Sequence, residues 1–282
     1  MLQLPQYTPA RVLAPDGVAV AVQDWGAPAT SGRARDVLFL HGFSQSHQSW
    51  LHQVAGPLAQ QFRLVTYDLR GHGDSDKPVE PHFYQEPQRW AAEVKAVIDQ
   101  LGLYRPILVA WSYAGRIALD YLSCFGEGAL GGLVMVNATS KTDPTVLGPA
   151  ASLLREMCDP DPVVNTAGNR ALLAACVAQP LSAEALAYLL EFNQKVPPQI
   201  RANLRRPPGD YATVLAALTL PVLIVHGLRD PINLPAMAAY THSQAPHARL
   251  IAYEQAAHMP FWEEPERFNA DLAAFIRGLP PN

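Results

Sequence analysis

Three residues far apart in this 282-residue chain have the types needed to turn a hydroxyl into a nucleophile: Ser112, Asp230 and His258. A serine hydroxyl is weakly nucleophilic at neutral pH and needs a base beside it. The imidazole that serves as base needs an acid to fix its tautomer and to stabilise its cationic form. Ser112 sits in Ala110-Trp111-Ser112-Tyr113-Ala114-Gly115, between an apolar run and a helical pattern. A serine on so sharp a strand-to-helix turn is held in strained geometry, and the residues two before and two after it must be small. Alanines stand at both positions where glycine is usual, and the sterics demand small residues rather than glycine strictly. At a helix N-terminus the dipole and free N–H groups also favour developing negative charge. Taken alone, Ser112 reads as a capping serine; the partners reverse that reading.

The base is chosen from nine histidines by position. His258, in Ala256-Ala257-His258-Met259-Pro260, follows the last strand pattern by a few residues, and ligand sites of open α/β sheets lie beyond the strands' C-terminal ends. Asp230, in His226-Gly227-Leu228-Arg229-Asp230-Pro231, lies just past the preceding strand pattern and completes the chain order Ser, Asp, His. Asp143 is the second choice of acid. His41-Gly42-Phe43 follows the third strand pattern, so the backbone N–H groups of Phe43 and Tyr113 are the candidate oxyanion donors, and His41 reads as a histidine that shapes the loop. Trp111 and Met259 are candidate substrate contacts.

These residues need a scaffold. Arg11 to Ala14 and Val18 to Gln23 pattern as a strand pair around Pro15-Asp16-Gly17. Six nearly continuous apolar runs follow, starting at Val37, Arg63, Ile107, Leu133, Val222 and Arg249, as expected of strands buried on both faces of a parallel sheet. Helical patterns lie between them at Trp50 to Gln61, Pro87 to Leu101, Tyr113 to Phe125, Ala236 to Ser243 and Pro265 to Arg277. The alternation predicts right-handed crossovers and a doubly wound α/β sheet. No strand pattern occurs between Val136 and Val222. Leu147 to Met157, Asn169 to Ala178, Ala183 to Gln194 and Pro198 to Leu204 read as helices there, so residues 140–218 are expected to form a helical cap on a core of residues 1–139 and 219–282.

Composition narrows the class. Hydrophobic residues make up 49% and charged residues 16%, enough for a buried core. Net charge is −4 with no long run of one sign, which argues against nucleic-acid or anionic-membrane partners. No apolar run approaches the ~20 residues of a spanning helix, and Met1 to Ala10 has no leader-like pattern. Cys124, Cys158 and Cys176 read as free, buried thiols of a reducing compartment, so the chain is expected to be cytoplasmic. No H-E-x-x-H or Cys/His set suggests a metal, and Gly71-His72-Gly73 lacks the spacing of a nucleotide loop, so no cofactor is expected.

Five ordered motifs make the chain resemble the α/β-hydrolase family, in its capped serine esterase and perhydrolase-like branch: His41-Gly42-Phe43, Asp68 to Ser75, Trp111 to Gly115, His226 to Asp230 and Ala257 to Glu263. The resemblance implies an α/β-hydrolase fold with a mostly parallel eight-stranded sheet, helices on both faces and the cap inserted after strand 6. It also implies a structural role for Arg70-Gly71-His72-Gly73, and it disfavours haloalkane dehalogenase and epoxide hydrolase chemistry, which place aspartate where Ser112 stands. The function expected is hydrolysis of a small to medium, largely apolar carboxylic ester, a small-molecule substrate. The same triad also serves C–C bond hydrolysis, lactone opening, acyl transfer and perhydrolysis, and a ligand receptor on this fold is a further alternative. A homo-oligomer is left open.

Overall fold

The structure, a computed structural model, describes residues 2–26 and 35–280. Eight strands form one sheet: β1 (Thr8–Leu13), β2 (Ala19–Asp24), β3 (Asp36–Leu40), β4 (Arg63–Tyr67), β5 (Ile107–Trp111), β6 (Gly132–Val136), β7 (Val222–Gly227) and β8 (Arg249–Tyr253). Their order is β1-β2-β4-β3-β5-β6-β7-β8. β1 and β2 pair antiparallel, as do β2 and β4, and every later pair is parallel. Each residue of β3, β5, β6 and β7 is buried, which explains their unbroken apolar runs. The edge strands β1 and β8 are largely exposed.

The helices before β7 are α1 (Leu51–Val54), α2 (His82–Gln85), α3 (Pro87–Gln100), α4 (Ala114–Phe125), α5 (Leu153–Glu156), α6 (Pro162–Ala175), α7 (Ala183–Asn193), α8 (Pro198–Leu204) and α9 (Ala212–Ala216). After it come α10 (Pro235–Gln244), α11 (Pro260–Glu263) and α12 (Pro265–Arg277). α3 packs on α4, and α9 joins α4 to α10, forming one layer. α1, α11 and α12 pack together as the other.

Three helical segments differ from their patterns. Trp50 to Gln61 is not one helix but a 3-10 turn (His47–Trp50), α1 and a second 3-10 turn (Pro57–Gln60). Gly56 is extended before Pro57, because the proline ring disfavours helical geometry in the residue before it. Leu147 to Met157 begins instead as a 3-10 turn at Pro149 that runs into α5. α6 starts at Pro162, well before Asn169, with the Asp161 carboxylate accepting from Val163 N at 2.8 Å. Exposed Val163 and Val164 had broken the amphipathic pattern there. The thiols are free, but only Cys176 is buried; Cys124 lies on the exposed last turn of α4 and Cys158 is half-buried.

The helical stretch between β6 and β7 leaves and returns through a narrow neck. Lys141 and Asp210 form an isolated antiparallel bridge, Thr142 N donates to Gly209 O at 2.9 Å, and Tyr211 N donates to Ser140 O at 3.2 Å. Arg201 of α8 ties this stretch to the loop after β3. It is almost fully buried, and its guanidinium donates to Ser44 Oγ (2.8 Å), Met157 O (3.0 Å) and Asn193 O (2.7 Å).

Candidate active site

β5 ends at Trp111, and Ser112 turns the chain with φ at +56° before α4 begins. A left-handed non-glycine residue of this kind carries on the order of 1–3 kcal/mol of strain, which its surroundings must hold. Here Ser112 N donates to Val136 O at 3.0 Å, and Ser112 O accepts from Gly115 N and Thr139 N at 2.9 Å each. The turn is thereby fastened to the end of β6. Ala110 and Ala114 are fully buried, as the need for small neighbours predicts. Gly115 has no room for more: a methyl there would lie 2.7 Å from Ala138 Cβ and 2.8 Å from Thr139 N.

The structure brings Ser112, His258 and Asp230 into one hydrogen-bonded line. Ser112 Oγ donates to His258 Nε2 at 2.7 Å, and His258 Nδ1 donates to Asp230 Oδ2 at 2.7 Å. Asp230 Oδ1 accepts from Ile232 N (2.8 Å) and Asn233 N (3.0 Å). Burial opposes ionisation of Asp230. The charge and hydrogen bond of His258, with help from His226 and Asn137, outweigh that and hold its carboxyl below the usual range. Asp143 lies apart from this line and caps its own turn, accepting from Thr145 N at 2.9 Å.

Three residues that position this line had not stood out in the sequence. Asn137, at φ +43°, follows β6 and donates from Nδ2 to Asp230 Oδ2 (2.6 Å) and Ala257 O (3.1 Å). Asparagine tolerates left-handed backbone, and an asparagine directly after a buried strand is the signal that could have found it. Glu263, the last residue of the Ala257 to Glu263 motif, accepts from Ala257 N (2.7 Å) and Ala178 N (2.5 Å), fastening the His258 loop to the helical stretch. Cys176 O accepts from His258 N at 3.0 Å. Trp111 lines the cavity above Ser112, and its indole N–H donates to His258 O at 2.9 Å, so it also holds the histidine. Met259 is fully buried and is not among the cavity-lining residues; its carbonyl accepts from Trp262 N and Glu263 N and opens α11.

The loop carrying Phe43 is shaped from behind by the Asp68 to Ser75 turn. His41 Nδ1 donates to Gly42 O (2.8 Å) while its Nε2 accepts from Leu69 N (3.1 Å). His72 Nδ1 donates to Arg70 O (2.9 Å) while its Nε2 accepts from Ser44 N (3.0 Å). Both rings are fully buried and neutral: burial pushes His41 down to about 4 and His72 well below the ordinary histidine range. Asp68 Oδ1 accepts from the backbone and the ring of His47, at 2.8 Å each. Phe43 N and Tyr113 N donate to no protein acceptor among the described residues, and both residues line the cavity.

That cavity, of about 270 Å³, lies over Ser112 and His258 and is walled mainly by Phe43, Trp111, Leu154, Leu172, Leu204 and Ile232. Chemically, the line can lend a serine hydroxyl to a base, and the two open N–H groups can receive an oxyanion. Sheet order, the strained serine after β5 and the polar line at the strand ends define an α/β-hydrolase architecture. The chain belongs to the alpha/beta hydrolase family, whose model matches residues 37–271. It is similar to a Burkholderia cenocepacia protein described as a presumed aryl esterase, with 33% identity, 96% of this chain and 98% of that one covered, and a TM-score of 0.90. It is also similar to the esterase RhEst1 from Rhodococcus sp. ECU1013, with 29% identity, 96% and 99% coverage and a TM-score of 0.88. Among sequences, the AB hydrolase superfamily protein YisY of Bacillus subtilis (strain 168) is 27% identical over 261 residues, covering 86% of this chain and 92% of that protein.

Proposed function

We propose that this protein hydrolyses small carboxylic esters through an acyl-enzyme on Ser112. The observation that carries the reading is the unbroken hydrogen-bond line Ser112–His258–Asp230 at the floor of a mainly apolar cavity. His258 Nε2 takes the hydroxyl proton as Ser112 Oγ attacks the ester carbonyl. The oxyanion is held by Phe43 N and Tyr113 N. His258 then passes the proton to the departing alcohol, and water, deprotonated by the same nitrogen, hydrolyses the acyl-enzyme. Asp230 stays ionised throughout, matching its lowered pKa. The esterases among the similar structures support ester hydrolysis. A cavity of about 270 Å³ suits a small ester, since larger sites reach toward 1,000 Å³.

The test is turnover of a 4-nitrophenyl ester. Ser112→Ala should lower kcat by ~10⁴-fold or more, because the members of such a triad act as a unit. Turnover by that variant within tenfold of the native rate would overturn the assignment.

A further inference from the structure

The cavity described above is lined by four arginines, Arg116, Arg155, Arg205 and Arg206, beside its apolar residues and neutral polar ones such as Gln45, Thr142 and Asn233. No aspartate or glutamate lines the cavity among the described residues. Arg116 and Arg206 are at least nine-tenths buried. Arg206 Nη1 donates to Asp120 Oδ2 at 2.5 Å, and Asp120 Oδ1 accepts from Tyr211 OH at 2.6 Å. Among the described residues Arg116 has no such partner; its Nη2 donates to Pro207 O at 2.8 Å. The Nε–H of both arginines is buried without an acceptor among the described residues. Arg155 and Arg205, which also line the cavity, are exposed, and neither is paired with a carboxylate among the described residues. One buried carboxylate therefore faces two buried guanidinium groups, and two more cations line the same cavity.

Burying a cation without its counter-charge is costly, as is leaving a buried donor unmet. A wall built this way retains its cost unless something negative enters the cavity. Guanidinium presents planar, forked donors that match the two oxygens of a carboxylate. Arg116 lies in the first turn of α4, four residues past Ser112, and both residues line the cavity, so one small substrate can meet both. Resting on the Ser112 reading above, we infer that the preferred substrate is an ester bearing a free carboxylate, which the cavity's arginines bind while its apolar residues take the intervening carbons.

The experiment compares matched esters. Mono-4-nitrophenyl glutarate against 4-nitrophenyl valerate places the carboxylate on the acyl side; 4-acetoxybenzoate against phenyl acetate places it on the alcohol side. The native protein should favour the charged member of at least one pair by tenfold or more in kcat/KM. That ratio should fall toward one in Arg116→Gln, chiefly through KM. The double variant Arg155→Gln, Arg205→Gln alters only exposed side chains, so it keeps the test available should Arg116→Gln fold poorly, and its ratio should fall as well. Glutarate should raise the melting temperature of the Ser112→Ala protein, and glutaramide should not. A ratio near or below one for both pairs in the native protein, or a high ratio that none of the arginine substitutions changes, overturns the anion site. The Ser112 reading is judged separately, on loss of neutral-ester turnover in Ser112→Ala.

Discussion

Ser112 is held in its strained turn by contacts that leave no slack, and the tightest is at Gly115. A methyl group 2.7 Å from Ala138 Cβ must push β6 and α4 apart or tilt the turn. Gly115→Ala is therefore expected to destabilise the protein by about 1–3 kcal/mol, the usual range for overpacking. Urea unfolding should show a lower midpoint with an unchanged m-value, and an unshifted midpoint would show that the turn yields freely. Asn137 acts at one remove: Asn137→Ala takes a donor from Asp230 Oδ2 and from Ala257 O. We expect kcat on a neutral ester to fall tenfold or more with KM held within twofold, and Asn137→Asp to restore none of it, because it places a second carboxylate against Asp230. Equal changes in kcat and KM would mean that Asn137 shapes the cavity instead. The serine, the aspartate and the histidine were legible in the sequence because each pairs a diagnostic residue type with a strand end. The hold of Trp111 on His258 and the roles of Asn137 and Glu263 were not, because they are played through partners 147, 93 and, for one of the two amides that Glu263 receives, 85 positions away.

Among the elements, the buried strands were the easiest to read, since burial on both faces leaves no polar positions to blur the run. The helices of the 140–218 region were harder. α6 begins with exposed valines, and short α5 grows out of a 3-10 turn, so neither shows a clean apolar stripe. Besides the Cys176 carbonyl that accepts from His258 N, a carboxylate joins this region to the His258 loop: Glu263 receives the amides of Ala257 and Ala178. Glu263→Gln turns one acceptor oxygen into a donor that faces an N–H. It should lower ester turnover by roughly an order of magnitude and destabilise the protein by about 1–3 kcal/mol, the cost of an unmet buried donor. Native turnover and an unchanged melting temperature would show that the loop is held well enough without it.

The whole molecule carries an acid limit in its buried histidines. His41 and His72 each accept a backbone N–H at Nε2, so a proton there would set N–H against N–H. Their pKa values are lowered on folding, so the unfolded chain binds protons that the native protein refuses. Stability is full above the unfolded value of 6.5 and is lost as pH falls toward about 4. His41 should contribute up to ~1.4 kcal/mol per pH unit across that window, and His72 adds a loss in the same direction. Chemical denaturation between pH 7 and pH 4.5 should show this slope, and His72→Gln should flatten it; a stability independent of pH over that range would contradict the account.

The neck at Lys141 and Asp210 has a consequence for inheritance. A stretch whose two ends are stapled together can be lengthened, shortened or exchanged by recombination without the sheet having to re-register. Yet this stretch also supplies the Cys176 carbonyl that accepts from the His258 backbone, and three of the four arginines. Any transplanted replacement must bring its own equivalent of that carbonyl, so in descendants of this chain a change of diet and the upkeep of the chemistry would have to arrive on the same piece of DNA.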